Sequence, residues 1–378
     1  MDIMLIGCLI SAVMAEMLSD KLITVRFFCK RYNIRGILYF IPIWLMLVFK
    51  WNTNPDVTVP IGEYWIFFHD IVTLGAVSDA HTVIRFAREP LSWGLIWIMA
   101  KLGLSYFGML AIISTVFSIS YALYIDRLSR TPSMSILFFA LTCGPIVIGA
   151  LRQAMSVTFL LIAYSVVLGG RNVSKSQWLK IVLILFVGGL FHSSCFLVLP
   201  MFLLANIPFS RKTSLFFLIV VVLFSPFLNN FFNVMLESTR WGDELESERS
   251  NFYLSLFLLI SFIFFLFFLF QPQVERLNGG KWAFTLITGF FAILILSIFL
   301  KFLVDPGRLF HSFIPLVIII VPNLIDHLRI LANKRLVLLT CFFVFGCYFG
   351  RTILARTEVN FFYHSVFFVN REDVFELR

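Results

Sequence analysis

Two short polar strings interrupt otherwise oily sequence: Arg152-Gln153 and, forty residues on, Phe191-His192-Ser193-Ser194. Charged and strongly polar groups are expensive in such surroundings and are usually retained there for a function. A third string, Asp305-Pro306-Gly307-Arg308, reads as a helix cap and first turn, with His311 one turn on from Arg308 on the same face. Arg351 and Arg356 follow the last apolar run. An Arg at a helix N-terminus is an anion site. Unpaired N–H groups and about half a positive charge reinforce its bidentate fork there, which suits phosphate or pyrophosphate. On this reading Arg152 and Arg308 are candidate anion ligands, with Arg351 on the same side, and Gln153 stands beside Arg152. His192 and His311 are the titratable groups among them, suited to act as a base. The rival base is a carboxylate, Asp56 or Glu63, from a set that also includes Asp70, Asp79 and Glu89.

Taken singly, each residue has a bland reading. Arg152 snorkels to an interface, His192 bonds between helices, and Arg308 pairs with Asp305. His69, His81 and His327 read as interfacial or loop residues. Convergence of the others on one face of the molecule favours function. No HExxH, EF-hand, P-loop, GxGxxG or GxSxG string lies in a supporting context, so neither metal nor cofactor is expected. The six cysteines (8, 29, 143, 195, 341 and 347) are scattered without a CxxC pair and read as small apolar fillers.

The elements that must position these groups follow from composition. The 378 residues are 60% hydrophobic and 13% charged, about half the charge that a soluble surface requires. Apolar runs recur from end to end, each closed by a short charged loop. The expected fold is all-α: one polytopic transmembrane domain over 1–378, with about 11–12 membrane helices. The spans fall near 3–18, 36–49, 104–124, 133–149, 153–169, 178–191, 193–207, 214–231, 252–270, 282–300, 312–325 and 336–350. The first run lacks a basic lead-in and a small-residue cleavage site and reads as a span, not a secretory leader.

Simple alternation of these spans puts every basic-rich loop on one side. Those loops hold more than half of the 30 basic residues but only four acidic ones, Asp20, Asp126, Glu275 and Asp326. The positive-inside rule makes that side cytoplasmic, with both termini outside. The net charge of +9 therefore reflects membrane orientation and forms no stripe for nucleic acid. The outer segments are 50–103, 232–251 with its charged run Glu237–Ser250, and the tail 351–378. Within the first, Leu91–Leu102 reads as a half-helix in the outer interface. Spans 178–191 and 193–207 are short enough to be one kinked helix, which would flip everything after them. No internal repeat is visible.

Several strings resemble the EpsG family and Wzy-type polysaccharide polymerases. Gly149–Ser156, around Arg152-Gln153, resembles that family's "n-x-x-R-Q-x-x-A" segment, and Phe191-His192-Ser193-Ser194 its "FHxS" segment. Glu89-Pro90-Leu91-Ser92-Trp93-Gly94 is similar to its "EPG(W/Y)" string, and Phe362-Tyr363-His364-Ser365-Val366-Phe367 to its tail motif "PY(K/H)S(I/V)F". Arg308 and His311 sit where the family has an Arg heading a late helix. Order and spacing hold from roughly 50 to 370. One departure lies in the first outer loop, where Lys50-Trp51-Asn52, Asp56 and Tyr64 stand without the family's Gly-Thr-Asp.

The resemblance implies polymerisation of undecaprenyl-pyrophosphate-linked repeat units into O-antigen or a similar surface polysaccharide. The work would be done at the periplasmic face of the bacterial inner membrane. It implies a fold like that of membrane-embedded, GT-C-like glycosyltransferases. Its catalytic candidates are His192, His311 and Asp56, and its pyrophosphate ligands Arg152, Arg308 and Arg351. Gln153, Glu89, Tyr363 and His364 would bind substrate. Its partners would be lipid-linked donor and acceptor, the bilayer and a chain-length regulator. The competing classes are a flippase or other transporter and an O-antigen ligase. A transporter would spread ionisable groups along mid-membrane helices and show internal repeats, whereas here the charges gather at one end.

Overall fold

A computed structural model of the chain describes residues 3–27, 30–48, 50–51, 63–74, 89–147, 151–169, 173–204, 207–236, 250–299, 306–328, 331–356 and 364–365. Fifteen helices occur among them. Hydrocarbon offers no partner for peptide groups, so runs this apolar must close their hydrogen bonds internally.

Helices α1 (Ile3–Leu18) and α2 (Arg35–Val48) are joined by a small antiparallel hairpin, β1 (Thr24–Phe27) with β2 (Lys30–Asn33), in register Arg26↔Arg31. Then follow α3 (Glu63–Thr73), α4 (Pro90–Lys101), α5 (Tyr106–Leu128), α6 (Pro132–Val147) and α7 (Leu151–Gly169). The chain continues through α8 (Lys175–Phe191), α9 (Ser194–Leu204), α10 (Arg211–Leu236), α11 (Ser250–Leu269) and the single turn α12 (Gln271–Val274). It ends with α13 (Gly280–Phe299), α14 (Pro306–His327) and α15 (Leu331–Arg356).

The protein is an all-α membrane protein. Of the expected crossings, three helices among the described residues are long and apolar enough to span a bilayer: Tyr106–Leu128, Leu151–Gly169 and Phe310–His327. Shorter apolar helices complete the bundle, among them Arg35–Val48, Leu256–Leu269 and Gly280–Leu296. Large side chains such as Val13, Phe216, Leu223, Phe227 and Phe343 stand on the outside, where lipid is the matching solvent.

Helix α14 is the axis of the bundle. Residues 312–325 are all buried, and α6, α7, α9, α11 and α13 pack around it. Two tyrosines tie it to its neighbours near Pro315. Tyr124 of α5 donates its hydroxyl to the Pro315 carbonyl (2.8 Å), and Tyr164 of α7 donates to the Ser312 carbonyl (2.9 Å). Polar tips buried among helices need such partners.

The basic loops meet at one end of the bundle, as alternating spans require. There Arg35 pairs with Asp126 (2.7 Å) and donates to the Ser19 carbonyl, while Ser133 donates to Glu16 (2.6 Å). The Asn323 side chain pins the α5–α6 turn by accepting from the Arg130 N–H (2.8 Å) and donating to the Leu128 carbonyl (3.0 Å). Gly279, at φ +66°, lets the α12–α13 turn press on α7, since a Cβ there would lie 2.5 Å from Leu168 Cα.

At the other end the chain reverses sharply between α8 and α9. The two form an antiparallel hairpin, so the alternative of one kinked helix is excluded. Gly188 and Gly189 permit the close approach, because a Cβ on either would meet Cys195 Sγ at 2.9 Å or the Phe196 ring at 2.4 Å.

Three boundaries differ from the sequence reading. Within the expected outer loop 50–103, α3 forms as a further helix and joins α4 and the start of α5 in a separate apolar cluster around Phe67, Trp93 and Tyr106. Aromatic side chains sufficient for a small core explain it. Helix α10 runs on to Leu236. Helix α15 runs on to Arg356, so Arg351 is helical where the tail was expected to begin. The charged run 237–249 lies outside the described residues.

Candidate functional site

The polar strings come together at the end of the bundle opposite the basic loops. Arg152 occupies the first turn of α7 and is held by α3 and α4. Its Nη1 donates to Glu89 Oε2 (2.8 Å) and its Nε donates to the Tyr64 hydroxyl (2.9 Å). The guanidinium also lies over the Trp93 and Tyr64 rings, 5.3 and 5.7 Å from their centroids. Glu89 is buried and Arg152 is largely covered, with side chains 7% and 15% exposed.

Glu89 precedes α4 in the N-cap position, with Pro90 starting the helix, yet its carboxylate does not cap its own helix. It reaches across to the α8–α9 turn instead. Oε1 accepts from the Ser193 N–H (3.1 Å) and the Ser193 hydroxyl (3.4 Å), and lies 3.9 Å from His192 Nε2.

His192 is buried at that turn. Its Nδ1 accepts from the Ser194 N–H (3.2 Å) and meets the Ser194 hydroxyl at 2.8 Å, so the ring caps α9. With Nδ1 accepting, the proton of the neutral ring sits on Nε2, the nitrogen that faces Glu89. Next to Arg152, Gln153 is buried and its Oε1 meets His311 Nδ1 at 2.7 Å. This links α7 to the second turn of α14, and because an amide oxygen only accepts, His311 Nδ1 donates.

Four helix N-termini thus aim at one region: α4, α7, α9 and α14. Each brings the partial positive charge of a helix start, so the region suits an anion. Of the residues expected at a site, the structure gathers Arg152, Gln153, Glu89, His192 and His311. Arg308 starts α14 and Arg351 lies near the end of α15, but their side chains are outside the described residues, as are Asp56 and Tyr363 altogether. His364 is in β4 (His364–Ser365), which pairs with β3 (Lys50–Trp51) as Trp51↔His364. That pairing returns the tail to the end of α2 opposite Arg35.

Three participants were not singled out from the sequence: Tyr64, Trp93 and Ser193. Ser193 was visible inside the quoted string. Trp93 reads only as part of the half-helix in the outer interface, but it is fully buried under Arg152 while Trp97 stays 44% exposed. Tyr64 was obscured by the departure in the loop before it.

No cluster of three His, Cys, Asp or Glu side chains forms a metal cradle among the described residues. A polar pocket lined by Arg127, Arg130, Asn278 and Asn323 lies at the basic end, away from this centre.

Fold and site together define a polytopic helical membrane protein whose buried polar centre is assembled from helix ends. The chain belongs to the EpsG family, whose model matches residues 33–366. No curated protein and no solved structure matches it. Membership is consistent with a polysaccharide polymerase.

Proposed function

We propose that this protein polymerises undecaprenyl-pyrophosphate-linked oligosaccharide repeats into O-antigen or a similar surface polysaccharide. It would work at the periplasmic face of the bacterial inner membrane, as a GT-C-like glycosyltransferase. The observation that carries the reading is the largely covered Arg152, held by Glu89 and Tyr64 where the N-termini of α4, α7, α9 and α14 converge. Breaking a sugar–pyrophosphate bond needs little protonation of the leaving group, because diphosphate is already a stable anion. It needs positive charge aimed at the developing oxyanion in a dry site, which is usually the largest catalytic contribution.

In this assignment Arg152 grips the diphosphate, joined by Arg308 from the head of α14 and by Arg351. The linked pair Gln153 and His311 binds sugar hydroxyls and orients the acceptor. His192 presents Nε2–H to the same space. Asp56, Tyr363 and His364 would supply further contacts to the substrate.

The test is the lipopolysaccharide of a strain lacking the protein. Core capped with a single repeat supports the polymerase. Uncapped core would instead mean a ligase or a flippase. Purified protein should also lengthen defined lipid-linked repeats, with or without chelator.

A further inference from the structure

The diphosphate site of the proposed polymerase is already occupied by an anion, and that anion is Glu89. The donors around its carboxylate are those a phosphate would seek. Arg152 Nη1 donates to Oε2, and the Ser193 N–H and hydroxyl donate to Oε1. His192 Nε2 stands 3.9 Å away. A guanidinium, a backbone N–H at the start of a helix, a hydroxyl and an imidazole make a phosphate-type cradle. Glu89 occupies the N-cap position of α4, but its side chain leaves that helix uncapped and reaches between α7 and the α8–α9 turn.

We infer that Glu89 is a built-in competitor for the diphosphate: it neutralises Arg152 when the site is empty and helps to expel the lipid diphosphate after each transfer. The inference rests on the diphosphate reading above. A buried guanidinium without an anion is costly, so the empty site needs a stand-in charge. When donor binds, the diphosphate takes Arg152 and the Ser193 donors, and the Glu89 carboxylate withdraws. After transfer, the leaving lipid diphosphate carries full charge and would otherwise remain clamped. Return of Glu89 restores the original pairing and lowers the barrier to release. The exchange of Glu89 for diphosphate makes and breaks no covalent bond and needs no proton transfer of its own; the proton of the acceptor hydroxyl leaves in the transfer step, before release.

A residue that only held Arg152 in position would behave in the opposite way when neutralised. The experiment is therefore binding of undecaprenyl diphosphate to purified full-length protein, with product inhibition measured alongside. Glu89→Gln should bind it about tenfold or more tightly than wild type, the equivalent of about 1.4 kcal/mol. Its kcat should fall because release becomes limiting, and its KM for donor should fall as well. Unchanged or weaker binding in Glu89→Gln overturns the inference. Should that variant fold poorly, Glu89→Asp keeps the charge but draws it back by one methylene, and a smaller tightening is expected. Equal or weaker binding in Glu89→Asp again overturns the inference. Wild-type protein that neither binds undecaprenyl diphosphate nor polymerises would instead sink the function proposed above.

Discussion

Arg152 makes two separable contributions, one to stability and one to the proposed chemistry. Its pairing with Glu89 is largely covered, so removing either partner alone leaves the other charge poorly compensated and should destabilise the protein by about 3 kcal/mol. Removing both together, as Arg152→Met with Glu89→Gln, should recover most of that loss. Thermal unfolding in detergent across the four combinations would show it, and a double variant no more stable than the worse single one contradicts the pairing. Activity should not recover, since the guanidinium is gone. Arg152→Lys keeps the charge but loses the fork that spans Glu89 and Tyr64, together with stacking on Trp93. Its polymer yield should drop by about 10²-fold at normal expression, within the range for loss of one oxyanion contact. Long polymer from that variant would remove Arg152 from the site.

At the scale of elements, two reversals hold helix ends where the site and the bundle need them. The α8–α9 hairpin presents His192 and Ser193 to Glu89. The α12–α13 turn fixes α13 against α7 at the opposite end. Gly279→Ala should cost about 2 kcal/mol or more, because it combines a left-handed backbone with a Cβ driven into the α7 main chain. Unfolding temperature would report it, and an unchanged value would mean that the turn is free to shift. Helices α3 and α4 contribute differently. Their small aromatic core buries Trp93 and Tyr64 beneath Arg152, so the second apolar cluster serves as the floor of the polar centre. From sequence α4 is expected as a half-helix in the outer interface, with no burial assigned to Trp93. A twelve-residue helix with three apolar faces does not announce which one it buries.

For the whole molecule, the central prediction concerns sidedness. Single cysteines near Arg130 and Asn278 should label from the cytoplasm, and single cysteines near Arg152 and Arg308 from the periplasm. Arg152 and Arg308 reporting from opposite faces would dissolve the shared pocket. The sequence pattern of loops supports the expected result, and so does the geometry. Arg35 with Asp126, and Arg130 with Asn323, tie the basic loops into one layer. Arg152 stands at the other end of α7, a helix of 19 residues. A helix that long spans about 28 Å, close to the thickness of a hydrocarbon core.

Composition alone determined the solvent and the all-helical class, because these depend on local apolarity and on how few charged residues the chain carries. The polar strings around Arg152 and His192 were legible for the same reason: they stand out against an oily background. Tertiary structure decided which groups meet. The Arg152–Glu89 pair joins residues 63 positions apart and the His311–Gln153 pair residues 158 apart, separations over which no periodicity carries information. It also decided that Glu89, the cap position of its own helix by sequence, serves a distant cation. A buried guanidinium needs an anion more than α4 needs a cap.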